Sequence, residues 1–181
     1  MFRFLFFVSL SVVFWSCSSE ELNTRQAGPP LFSLADFISM EKENMVKSNT
    51  GLIKILELNG KKDTLILEKP DFAKELEVFI KADINRPASS DQYNIDSTYL
   101  RESLLKVTYS ALDKKLLTQK LSIQFNSEGK VNRIVVRLFN GNLLAKSSQQ
   151  LMYQPGIGYQ IKDLQYFFGD KDEVKVEGSF Q

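Results

Sequence analysis

Covalent or acid–base chemistry needs nucleophiles, proton carriers or metal ligands, and this chain holds a restricted set of them. It has no histidine and a single cysteine, Cys17, in 181 residues. Zinc and copper sites built on imidazole or thiolate are excluded beyond Cys17, as are Ser-His-Asp and Cys-His nucleophile systems. Carboxylates, Lys, Tyr and Ser remain. Asp83, Asp91 and Asp96 are the acids that could cluster, either around calcium or as a pair for glycoside hydrolysis. Calcium takes about six to eight oxygens, and this stretch lacks EF-hand spacing. Paired-carboxylate hydrolysis depends on a separation of roughly 5–9 Å, which spacing along a chain does not fix. Solvated loop acids are the commoner explanation, so no catalytic residue, metal or cofactor is assigned.

Other candidates are weighed in the same way. Arg133 and Arg137 alternate with Val135 along one run and could bind an anion, although mixed charge on a strand's outer face is ordinary. Gly156-Ile157-Gly158 lacks the third glycine and the following helix of a nucleotide loop, so it reads as a turn. Tyr153, Tyr159, Tyr166, Phe167 and Phe168 concentrate aromatic surface near the C-terminus. Most of it is expected in a core, with an apolar second face as a possible partner surface.

Cys17 sits in Trp15-Ser16-Cys17-Ser18-Ser19-Glu20-Glu21, behind Arg3 and an apolar run from Phe4 to Trp15. A basic head and about 7–15 apolar residues make a secretory signal, too short for the roughly 20 residues of a membrane span. With the small Ser16 before it, the segment resembles a bacterial lipoprotein signal, carrying bulkier Phe14 and Trp15 where that pattern places small residues. The Ser-Ser-Glu-Glu that follows resembles the acidic export tag of surface lipoproteins in Bacteroidota. The resemblance implies cleavage before Cys17 and lipid attachment at Cys17. It also implies an outer-membrane anchor in the cell envelope, facing the periplasm or the surface. Each buried CH₂ of an acyl chain contributes about 0.8 kcal/mol, so two or three chains hold a protein to a bilayer. Asp63-Thr64-Leu65 and Asp96-Ser97-Thr98 resemble the O-glycosylation acceptor of the same bacteria.

The expected organisation is a signal peptide over 1–16, a lipidated flexible tether over 17–30 ending in Gly28-Pro29-Pro30, and one domain over 31–181. Of 23 basic residues only Arg3 lies in the signal, so its removal leaves acids and bases equal at 22 each. That balance provides no electrostatic footprint for nucleic acid and no polybasic membrane patch. Roughly 160 remaining residues can bury a real core.

Two helices are expected to position whatever site exists. Ser33 and Asp36 have capping-box spacing ahead of a helix from about Leu34 to Lys47, with Leu34, Phe37, Ile38 and Met45 on one face. Phe72, Leu76, Phe79, Ile80 and Ile84 predict a second helix, ended by Pro87. Between them, Leu52–Leu58 and Thr64–Glu68 flank Asn59-Gly60, a hairpin signal. Residues 88–98 read as a polar loop. From Ser103 the period changes to two, through runs ending near Ala111, Phe125, Leu138, Gln154, Phe168 and Phe180, with turns too tight for parallel crossovers. The phase breaks after Ile161, which predicts a bulge near Lys162-Asp163.

The predicted fold class is α+β: two N-terminal helices packed on a twisted antiparallel sheet of about seven or eight strands, made of the hairpin and a C-terminal meander. A curved sheet holding helices resembles periplasmic lipid carriers in architecture alone. The expected function is a membrane-anchored envelope lipoprotein without enzymatic activity, binding a partner protein, a glycan or an apolar ligand. The alternatives are a carboxylate-dependent hydrolase of envelope polymers and a structural subunit of an envelope complex.

Overall fold

The computed structural model describes residues 31–85, 91–100, 103–142, 145–168 and 170–181. The expected signal peptide, Cys17 and the tether lie outside them. One nine-stranded antiparallel sheet dominates the described residues, in the order β2-β1-β9-β8-β7-β6-β5-β4-β3. The strands are β1 Leu52–Leu58, β2 Lys61–Leu67, β3 Tyr93–Leu100, β4 Ser103–Ala111, β5 Thr118–Phe125, β6 Val131–Gly141, β7 Ala145–Gln154, β8 Gly158–Phe167 and β9 Asp170–Phe180. The meander thus runs from β3 to β9, and the hairpin is added at its far end through β1.

α1 spans Leu34–Lys47, as its sequence predicts, with the Ser33 hydroxyl accepting from the Asp36 amide at 3.2 Å. A second cap comes from a distance: Asp83 Oδ1 accepts from the Leu34 amide at 3.0 Å. The expectation of a single second helix is corrected. The segment forms two short helices, α2 Phe72–Glu75 and α3 Glu77–Lys81, separated at Leu76 where φ is −103° and ψ 2°. Tertiary contacts compete with further helix. The Ala82 carbonyl accepts from Thr118 Oγ1 at 2.8 Å, and Asp83 is committed to capping α1. Phe72, Leu76 and Phe79 keep their shared apolar face and are buried.

Nine strands replace the expected seven or eight because Tyr93–Leu100 is a strand, not a loop. Tyr93 is buried, and residues 94–99 are exposed. Tyr93, Ile95 and Tyr99 alternate with Asn94, Asp96 and Thr98 in a stretch that is otherwise polar, and the register with β4 establishes it as an edge strand. The bulge expected at Lys162-Asp163 is absent: β8 pairs without a break to both neighbours. The ladder between β5 and β6 slips around Gln119 instead. That slip buries Thr118 and leaves Leu117 exposed.

The core lies on one face of the sheet. Leu52, Leu121, Ile123, Ile134, Val136, Leu151 and Tyr153 face Leu34, Ile38, Leu76 and Phe79, all fully buried. Tyr153 is packed by Phe37, Phe79 and Phe180 with ring centroids 5.8–6.3 Å away. Tyr159 lies beside it against Phe79 and Phe180. Its ring passes directly over Gly178, where a Cβ would overlap ring carbons. Gly178→Ala should therefore destabilise the fold by about 1–3 kcal/mol. A guanidinium unfolding midpoint equal to that of the wild type would contradict this packing.

Candidate functional site

The two faces of the sheet differ in what their polar groups are doing. On the helix-covered face, the buried tyrosine hydroxyls and the carboxylates beside them are held by partners within the domain. The Tyr153 hydroxyl donates to Glu41 Oε2 at 3.0 Å. The Tyr159 hydroxyl donates to Glu75 Oε2 at 2.5 Å, while Lys54 Nζ donates to both Glu75 oxygens at 3.0 and 2.8 Å. Asp163 is buried farther along the same face. Its Oδ1 accepts from Ser147 at 2.8 Å, and its Oδ2 accepts from Gln149 and Gln165 at 2.8 and 2.7 Å. This explains the phase break read as a bulge. Beyond the helices' cover the inward positions of β7 and β8 turn polar, and the backbone stays regular.

The sequence's acidic candidates are not brought together as a site. Asp83 caps α1, Asp91 lies in the turn before β3, and Asp96 is exposed on the β3 edge. Among the described residues no three acidic or thiol side chains are placed to hold a metal ion. Gly156 and Gly158 form the β7–β8 turn, as expected. The aromatics divide: Tyr153 and Tyr159 are core, whereas Tyr166, Phe167 and Phe168 are exposed. Phe167 and Phe168 meet edge to face at 4.7 Å. The two acceptor-like triplets fall on the sheet's opposite edges, Asp63-Thr64-Leu65 in β2 and Asp96-Ser97-Thr98 in β3.

The helix-free face carries the open chemistry. Arg137, Ser148, Gln150, Lys162, Leu164, Lys171 and Glu173, with Gln149 and Asp163 also at its wall, line a groove of about 400 Å³ across β6 to β9. Register sets a row of cations along this face, past the groove. Lys120 opposes Arg137, Arg137 opposes Gln150, Gln150 opposes Lys162, and Lys162 opposes Lys175. Each flanks inward core positions, so all five point away from the helices. Lys175 in turn opposes Glu57, with Nζ 3.5 Å from its carboxylate and 3.2 Å from that of Glu173. Glu173 first, and Glu57 after it, hold the Lys175 ammonium above its ordinary pKa. Arg133, the other predicted anion ligand, lies outside this groove, with its Nε buried and making no hydrogen bond. Lys120, Gln150, Lys162 and Lys175 escape a reading of the sequence alone. Alternation puts Lys120 and Lys175 on the outer face, but only the strand register puts all four in one row.

Comparison with known protein families, curated proteins and solved structures returns no match to this chain.

The helix-covered face generates two expectations about stability. Glu75→Ala strands Lys54, whose side chain is 21% exposed, and orphans the Tyr159 hydroxyl. Its cost should be about 3–5 kcal/mol in urea unfolding, and a cost near zero would contradict the network. Burial first, and the adjacent Glu41 and Glu75 carboxylates second, push the Tyr153 and Tyr159 hydroxyls well above their ordinary value of 10.0. The stability they lend is whole below pH 10 and is lost above it, because there the unfolded chain ionises while the folded one holds its protons. Melting temperature should therefore fall more steeply beyond pH 10 in the wild type than in Tyr153→Phe/Tyr159→Phe. Parallel slopes would refute the assignment.

Proposed function

We propose that this protein is a membrane-anchored envelope lipoprotein that binds without catalysing, and that its binding surface is the helix-free face of the sheet. The observation that carries the reading is the contrast between the faces. The carboxylates of Asp163 and Glu75 are saturated by structural donors, whereas Arg137, Gln150 and Lys162 border an open groove. An open groove with polar hydrogen-bonding walls suits a hydrated ligand such as a glycan better than an apolar one, which needs an enclosed and mostly hydrophobic site. The hydrolase alternative has less support. Asp163, the buried carboxylate, has both oxygens engaged, and Asp83 is committed to a helix cap.

The anchor rests on Cys17 and its flanking signal. Two or more acyl chains there would hold the domain at the membrane through residues 18–30, leaving the sheet free to meet polymers of the envelope. Cys17→Ala should move the full-length protein from the membrane to the soluble fraction of fractionated cells. A variant that stays wholly with the membrane would overturn lipid attachment at this residue.

A further inference from the structure

Cations directly opposite one another on a sheet repel, because paired Cβ atoms lie only about 4.5–5.5 Å apart. This sheet places Lys120 against Arg137 and Lys162 against Lys175, on four strands of the same face. Continuing the row adds Glu57 and Lys62, so its only acid is shared by Lys175 and Lys62, at 3.5 and 3.6 Å. Lys120, Arg137 and Lys162 show no ion pair with any described residue. The core does not require this arrangement, since glutamine or threonine would fill the same outward positions without repulsion.

We propose that this row binds a linear acidic glycan lying across the strands, a reading that rests on, and narrows, the glycan-binding function above. Strands are about 4.8 Å apart, so the cations from Lys120 on β5 to Lys175 on β9 form a line roughly 19 Å long. A carboxylated polysaccharide presents charges in such a line; a bilayer presents them in a plane. The neighbours fit sugar as well as charge. Gln150 interrupts the row with an amide, and Ser148 lies one position along β7 toward the groove's far wall. Phe139 and Tyr166 expose rings on the same face, two residues beyond Arg137 and four beyond Lys162. Glu57 and Glu173 flank the line and disfavour a broad anionic surface. Neutral overall composition likewise disfavours nucleic acid.

The test uses the full-length chain in detergent, with polygalacturonate as acidic probe, pullulan as neutral probe, and phosphatidylglycerol vesicles as anionic membrane. Polygalacturonate should bind more tightly than pullulan, and binding should weaken as salt rises from about 50 to 200 mM. Arg137→Gln/Lys162→Gln should weaken polygalacturonate binding by about tenfold or more, while Lys114→Gln/Lys115→Gln, in the β4–β5 turn, should change it by less than about twofold. All four side chains are exposed, so both variants should fold. Equal binding of the two polysaccharides, untouched by the row variant, would overturn the acidic specificity but leave glycan binding standing. Equal losses in both variants would reduce the effect to net charge and overturn the row. Binding to vesicles but to neither polysaccharide would overturn both this inference and the glycan reading.

Discussion

Tyr153 and Tyr159 hold the two layers of this protein together. Among the described residues, a nine-stranded sheet with one helix of fourteen residues and two short ones has little cover for its apolar face. Two large rings at adjacent, directly opposed positions on β7 and β8 fill the centre of that interface. Burying their rings is favourable only if the hydroxyls are paired, and Glu41 of α1 and Glu75 of α2 accept from them. The same two bonds fix both helical segments on the sheet. Glu75 also receives Lys54 of β1, so the N-terminal hairpin is tied into the interface. Gly178 is the backbone counterpart, since Tyr159 lies flat only where β9 carries no Cβ.

That constraint divides the molecule's polar residues into two populations. Inward ones are bonded to neighbours and stabilise the fold: Asp83 on the amide of Leu34, Thr118 on the carbonyl of Ala82, and Asp163 among Ser147, Gln149 and Gln165. Outward ones on β5 to β9 are set by register into like-charged neighbours and an open groove. Strand pairing holds those cations at fixed spacing, which is the arrangement the proposed acidic glycan requires.

Much of the architecture was legible in the sequence where local and tertiary forces agree. Ser33, Asp36 and the spacing of Leu34, Ile38 and Met45 predict α1 with its observed ends. Alternation in Ile134, Val136 and Leu138 predicts which face of β6 is buried. The failures occur where a distant partner decides. The short alternation of Tyr93 and Ile95 with Asn94 and Asp96 is masked by the polar, exposed character of an edge strand, and the Ala82 carbonyl at the end of α3 is taken by Thr118. Asp163 mimics a bulge because a buried carboxylate with three donors stands where an apolar residue is expected. At the candidate site, Arg137 was visible as an anion ligand. Its companions on β5, β8 and β9 were not, because spacing along a chain carries no information about which strands are neighbours.

In the proposed division of labour, the helix-free face binds and the helix-covered face stabilises the fold. Differential acetylation of lysines, with and without polygalacturonate, tests it most directly. Protection confined to Lys120, Lys162 and Lys175, with Lys47, Lys74 and Lys81 on the helices equally reactive in both samples, is the predicted result. Protection of the helix lysines with the sheet row unchanged would contradict it.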